Sequence, residues 1–197
     1  KTDLISQRIN SFESDPISFI NLNQPEKNEF RKVFVEGQLL NEFEMYMPAL
    51  SKRGNNGFHI LVPLKTTSGK LIIYDTGWIP LKIKEKEKRL LNISKNSQTF
   101  EAVIRTSGRK GYFQPDNDTD TNSWFFVEPE LMSKYLNVSF ENFYYLEAVN
   151  NGPKGFPLGN QTRIYLRNNH LQYAIPWLLI AFGLIGVFFF ANIKKIK

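Results

Sequence analysis

His59 and His170 are the two imidazoles of a 197-residue chain that has no cysteine. The missing cysteines exclude a disulfide scaffold, a thiolate zinc site, a cysteine nucleophile and an iron–sulfur cluster held by thiolates. His170 stands three residues ahead of Tyr173, at the start of a long apolar stretch. At helical spacing His170, Tyr173, Ala174, Trp177 and Ala181 share one face. A neutral imidazole above aromatic rings and small residues can ligate a haem iron. Arg167, three residues earlier, can pair with a propionate. A plainer reading makes His170 an interfacial hydrogen-bonding residue beside Asn168 and Asn169, and the residues alone leave both open. His59 lies in a β-rich run and is expected to be packed or solvent-facing rather than a ligand. Asp116, Asp118 and Asp120 alternate as in a calcium loop. The glycine and the distal bidentate glutamate of such a loop are missing, so calcium is not expected. The chain carries no glycine-rich phosphate loop, no G-x-S-x-G and no H-E-x-x-H. No catalytic residue is assigned, and the chain is not expected to be an enzyme. A carboxylate pair assembled only by folding would support a third reading, a membrane-anchored enzyme.

The element that positions His170 is the apolar stretch itself. Residues 173–191 read YAIPWLLIAFGLIGVFFFA without one charge. At ~1.5 Å per residue they span ~28 Å, close to the hydrocarbon thickness of a bilayer. Tyr173 and Trp177 sit near one end, where amphipathic rings favour the headgroup level. The other end is Asn-Ile-Lys-Lys-Ile-Lys, whose lysines place the C-terminus on the cytoplasmic or matrix side. Three regions follow. Residues 1–165 form a domain in a periplasm or intermembrane space, 166–193 a transmembrane helix with the residues leading into it, and 194–197 a basic tail. Setting aside the three tail lysines leaves 22 basic against 19 acidic groups, too near neutral for a nucleic-acid partner. The sequence opens at Lys1 without an initiator Met, which points to a processed or truncated chain.

The domain reads as strand-rich. Runs at 31–38, 57–64, 70–75, 98–105, 124–127, 142–149 and 161–167 carry β-branched and aromatic residues with alternation. Lys-Thr-Thr-Ser-Gly joins two of them, and Gly69 supplies the dihedrals a hairpin needs. Helices are expected at 3–12 and 129–136; in the second, Pro129 suits the first helical position and Glu130 the positive helix start. The run 82–89, KIKEKEKR, is expected to be a solvated loop or a short exposed helix. Trp78 and Trp124 are expected in the core or its wall. The fold class is α+β: a compact, barrel-like, mostly antiparallel extracytoplasmic domain with a C-terminal transmembrane helix.

Asn168-Asn169-His170-Leu171-Gln172-Tyr173-Ala174, followed by Trp177, resembles the start of the second membrane helix in the Surfeit locus protein 1 family, assembly factors of haem-copper cytochrome c oxidase. Further likenesses run in the same order along nearly the whole chain. They are Lys1 to Asn10, Gly57-Phe58-His59 with Val62-Pro63-Leu64, and Gly77-Trp78-Ile79-Pro80, then Phe113-x-Pro115-x-Asn117, Asn122-x-Trp124 and Leu131-Met132. Two positions depart: Thr76 stands where the family usually has Arg, and Pro176 replaces the usual Thr before Trp177.

The resemblance implies a two-helix membrane protein whose first helix would precede Lys1. It implies haem A as a transient cofactor, with His170 as an iron ligand; helical spacing and charge set Tyr173, Trp177 and Arg167 beside it. The implied partners are oxidase subunit I, proteins of haem A biosynthesis and assembly, and the lipid bilayer. The alternative is a pure protein scaffold for oxidase subunits that never touches haem. The implied location is an inner membrane, with the domain on the periplasmic or intermembrane-space side. The Lys-, Asn- and Ile-rich composition suggests an AT-rich genome and leans toward a bacterial over a mitochondrial membrane.

Overall fold

The computed structural model describes residues 2–92, 96–164 and 170–193. The chain divides into two units, Lys1–Ile164 and Tyr165–Lys197. The first holds α1 (Thr2–Glu13), β1 (Ile17–Ser18), β2 (Lys32–Leu39), β3 (Met45–Leu50), β4 (Asn56–Thr66), β5 (Leu71–Pro80), β6 (Gln98–Thr106), α2 (Pro129–Leu136) and β7 (Tyr144–Ala148). The second holds α3 (His170–Ile193). The class is α+β, as expected.

The seven strands lie in the order β1-β2-β6-β7-β5-β4-β3, and β2 also pairs with β4. Five strands therefore join in a ring, closed by a seam of three residue pairs from Gly37↔Thr66 to Leu39↔Leu64. The ring is irregular rather than a clean barrel. Gly37 makes the seam possible, since a Cβ there would stand 2.4 Å from the Lys65 carbonyl oxygen. Pairing is antiparallel except for β1 with β2 and β5 with β7.

Alternation explains the two layers. On β2, Val33 and Val35 point inward while Phe34 and Glu36 face out. They join Ile60, Leu64, Ile72 and Leu146 inside the ring. The opposite face of β4 and β5 presents Leu61 and Ile73 to Met45, Trp124, Met132 and Phe140, a second core covered by α2 and the loop before it. Because β5 is covered on both faces, its burial is almost unbroken. Each fully buried aliphatic side chain contributes roughly 1.5–3 kcal/mol. α2 begins with Pro129 at its first position and ends at Asn137, whose left-handed dihedrals (φ 53°) cap it.

Three local expectations need correction. Residues 124–127 form no strand. The Asn117 carboxamide oxygen accepts the N–H groups of Phe125 and Phe126, which removes them from any ladder. Residues 161–164 form none either; here the side chains make the contacts, the Thr162 hydroxyl donating to the Glu147 carboxylate and the Gln161 carboxamide to the Gly159 carbonyl, and 165–167 lie outside the described residues. The charged run is a pair of 3₁₀ turns, Leu81–Ile83 and Lys86–Asn92, but it is not simply solvated. Its last residue, Arg89, is buried and grips Glu44 through two hydrogen bonds of 3.1 and 2.6 Å. Two strands were not foreseen, the two-residue β1 and β3: in β3 Pro48 argues against a strand interior, but β3 is an edge, where no ladder N–H is required of it.

Candidate functional site

In α3, 24 residues rise about 36 Å, and Leu171–Asn192 is apolar enough to cross a membrane. Among the described side chains, Leu171 to Asn192, none is buried, as expected of a helix whose solvent is lipid. His170 is the first residue of α3, its side chain outside the described part, and Arg167 also lies outside the described residues. Tyr173 and Trp177 follow at three and seven residues, so they share the face that begins at His170. Both rings are about two-thirds exposed (66% and 71%). Pro176 lies inside the helix and leaves the Gln172 carbonyl without its usual N–H partner. The helix thus brings His170, Tyr173 and Trp177 into line.

A second cluster lies within the domain. The β4–β5 hairpin shifts register between His59 and Leu61: His59 pairs with Trp78, and Leu61 with Asp75. The shift accommodates one extra residue on β5 around Thr76 and Gly77. The Thr76 hydroxyl donates to the Ile60 carbonyl at 3.0 Å, and the Gly77 N–H to Asp75 Oδ1 at 2.9 Å. Asp75 Oδ2 then meets His59 Nδ1 at 2.6 Å. Asp75 is 2% exposed and the imidazole 12%. Burial pulls the His59 pKa down, but the charge and hydrogen bond of Asp75 outweigh it, so the imidazole titrates above its ordinary value.

Across the parallel β5–β7 pair Asp75 sits opposite Glu147. Glu147 accepts from Arg105 at 2.8 and 3.0 Å, from the Tyr145 hydroxyl at 2.9 Å and from the Thr162 hydroxyl at 2.5 Å. Burial, then the Glu147 charge, pushes the Tyr145 phenol well above its ordinary range. The cluster holds a basic imidazole beside two carboxylates, with its polar demands met largely by protein. Sequence reading missed it, although the hairpin turn at Gly69 already put His59 and Asp75 at neighbouring positions on adjacent strands.

A cleft of about 210 Å³ opens where Ile60, Tyr74, Phe100 and Ala148 end the ring's interior, with Glu44 and Arg89 in its wall. Those two charges satisfy each other, and the rest of the wall mixes apolar side chains with polar ones, among them Gln98, Thr99, Glu101 and Asn150. Among the three aspartates considered for calcium, Asp118 accepts from Thr121 and from the Asp120 N–H, and Asp116 pairs with Lys110. That is the bonding of a closed polar turn.

A profile of the SURF1 family matches residues 1–182, from α1 through the first half of α3. The chain belongs to the SURF1 family. Surfeit locus protein 1 of Gallus gallus is 27% identical over 194 residues, covering 90% of this chain and 62% of that protein. A SURF1-like protein of Rickettsia prowazekii is 29% identical over 177 residues, covering 86% and 71%. Surfeit locus protein 1 of Takifugu rubripes is 26% identical over 185 residues, covering 86% and 76%. This SURF1-family chain thus spans less than two thirds of the Gallus protein. The match includes both clusters described above.

Proposed function

We propose that the chain is a membrane-anchored assembly factor for haem-copper cytochrome c oxidase that binds haem A and assists its delivery to subunit I. The family places it among SURF1 proteins. The observation that carries the haem assignment is the position of His170 at the head of a bilayer-length helix, in line with the Tyr173 and Trp177 rings. The donor set fits: haem iron needs one or two protein ligands, and a neutral imidazole is a common one. Two exposed aromatic faces can flank a macrocycle, and Arg167 would pair with a propionate. Haem A brings a farnesyl tail suited to lipid and propionates suited to water, so an interfacial site serves both ends. A single exchangeable ligand permits release, and no reaction on the haem is required; the protein is a carrier, not an enzyme. Its partners are subunit I and the proteins that make and pass on haem A, and it works in an inner membrane with the domain outside the cytoplasm or matrix.

The test is the absorption spectrum of the full chain, purified with its membrane and loaded with haem A. His170→Ala should lose or shift the Soret band while still inserting into the membrane. Full haem retention with an unchanged spectrum would show that the iron is held elsewhere in the protein, and a parent chain that takes up no haem A would leave the scaffold reading. Topology has its own test. Protease added outside spheroplasts should digest the domain and leave a small C-terminal membrane fragment; a protected domain would reverse the orientation.

A further inference from the structure

Tyr112 and Phe113 are each 94% exposed and stacked edge-on at 4.8 Å, an apolar surface with no cover within the domain. They form the tip of the loop that leaves β6, behind Arg109 and Lys110. The loop is not loose at its base. The Ser107 N–H donates to the Phe143 carbonyl at 3.2 Å, the Gly108 N–H to the Val127 carbonyl at 2.7 Å, and the Gln114 side chain bonds to both the Gly111 N–H and the Phe125 carbonyl. Phe143, at the root, is itself 70% exposed. Holding two large rings in water costs solvation free energy, and an anchored base means that the rings cannot fold back to relieve it.

The place of the tip in the domain suggests what covers it. Thr106, the last residue of β6, pairs with Tyr144, the first of β7, so the loop leaves the ring at the start of β7. The final stretch of the domain runs toward that same end. Leu158 is bridged to Trp78, and four residues on Thr162 bonds to Glu147, which lies level with Asp75 on β5. Between those points the chain descends antiparallel to β5 and β7. Six residues after Ile164, at His170, begins the helix that can cross a membrane. A domain tethered so closely to a bilayer cannot diffuse away from it, so even a weak contact is populated by effective concentration. Tyr and Phe beside Arg and Lys are the residue types that favour the headgroup boundary. Arg109 and Lys110 are paired with Glu29 and Asp116, both pairs solvent-accessible, so the rings rather than net charge supply the attraction.

We propose that Tyr112 and Phe113 insert into the headgroup boundary of the bilayer that α3 spans, giving the domain a second membrane contact. This rests on α3 being a membrane span and not on haem binding.

The absence of cysteine makes the test direct. A nitroxide is attached to the full chain at Phe113→Cys, or at Lys52→Cys in the turn between β3 and β4, and the protein is reconstituted in phosphatidylcholine nanodiscs. Collision with dissolved oxygen and with a water-soluble nickel chelate is then read by electron paramagnetic resonance. The label at 113 should be several-fold more accessible to oxygen relative to nickel than the label at 52. A third label at Asn142→Cys, beside the loop root, should become more accessible to nickel when Tyr112→Ser and Phe113→Ser are introduced. Equal nickel access at 113 and 52 would overturn the proposal. Shielding at 113 from both reagents would also overturn it, because that is the signature of a protein contact.

Discussion

His59 on β4 and Asp75 on β5 are joined at 2.6 Å although neither is the other's direct cross-strand partner. The register shift at Thr76 and Gly77 brings them together, and the Gly77 N–H occupies the second oxygen of the carboxylate. The carboxylate is almost sealed from water, while the imidazole keeps a narrow exposed edge. That arrangement raises the proton affinity of the imidazole, using residues that the chain holds sixteen positions apart.

The pair makes stability depend on pH with a definite sign. The folded His59 pKa lies above the unfolded value of about 6.5. The folded state therefore binds the proton more tightly, and the stabilisation is complete below pH ~6.5 and disappears as pH rises through the folded pKa. In Asp75→Asn the burial effect remains without its counterweight, so the imidazole should titrate below its ordinary value. Histidine-selective NMR titration checks this; an unmoved His59 pKa in the variant would contradict it.

Gly77→Ala should be severe. The backbone there has φ +116°, and a Cβ would stand 2.2 Å from the Leu158 carbonyl oxygen. Strained dihedrals cost of order 1–3 kcal/mol, and the clash adds to that by pushing Leu158 off its bridge to Trp78. Urea unfolding of the variant should give a loss of at least about 3 kcal/mol.

Arg89→Met leaves the Glu44 carboxylate buried without its partner. Breaking such a pair costs about 3–5 kcal/mol. Removing both charges with Arg89→Met and Glu44→Leu should restore most of the loss, because burying the pair already costs much of what its attraction returns. A double-mutant cycle by chemical denaturation measures the difference; equal losses in single and double variants would show that packing, not charge, is at stake.

Trp124 is fully buried, donates its indole N–H to Asn122 at 2.8 Å, and stacks edge-on with Tyr135 of α2 at 5.5 Å. Trp124→Ala should cost roughly 3–5 kcal/mol. The loss should show first as hydrogen exchange in α2, which Trp124 helps to hold against β4 and β5.

The sequence by itself determined the elements whose signal is local. α2 was legible to the residue, since Pro129 and Glu130 at its start act through the backbone beside them. β2 was legible because Val33 and Val35 alternate with Phe34 and Glu36. The apolar span of α3 was legible because nineteen uncharged residues leave no other stable solution, and the line of His170, Tyr173 and Trp177 follows from helical spacing alone. Tertiary structure decided what depends on partners distant in the chain. Pairing of β2 with β4 closes the ring, and it turns on a missing Cβ at Gly37, which local pattern cannot weigh. Arg89 looked solvated among its charged neighbours, yet Glu44, forty-five residues earlier, meets its guanidinium inside the protein. The strand expected at 124–127 was lost to Asn117, whose single carboxamide captured two backbone N–H groups. His59 looked like an ordinary strand residue until one extra residue in β5 aimed a buried carboxylate at it. Removing such groups from water costs free energy unless each meets a partner in the same dry space, and a linear sequence names the groups without saying which of them share it.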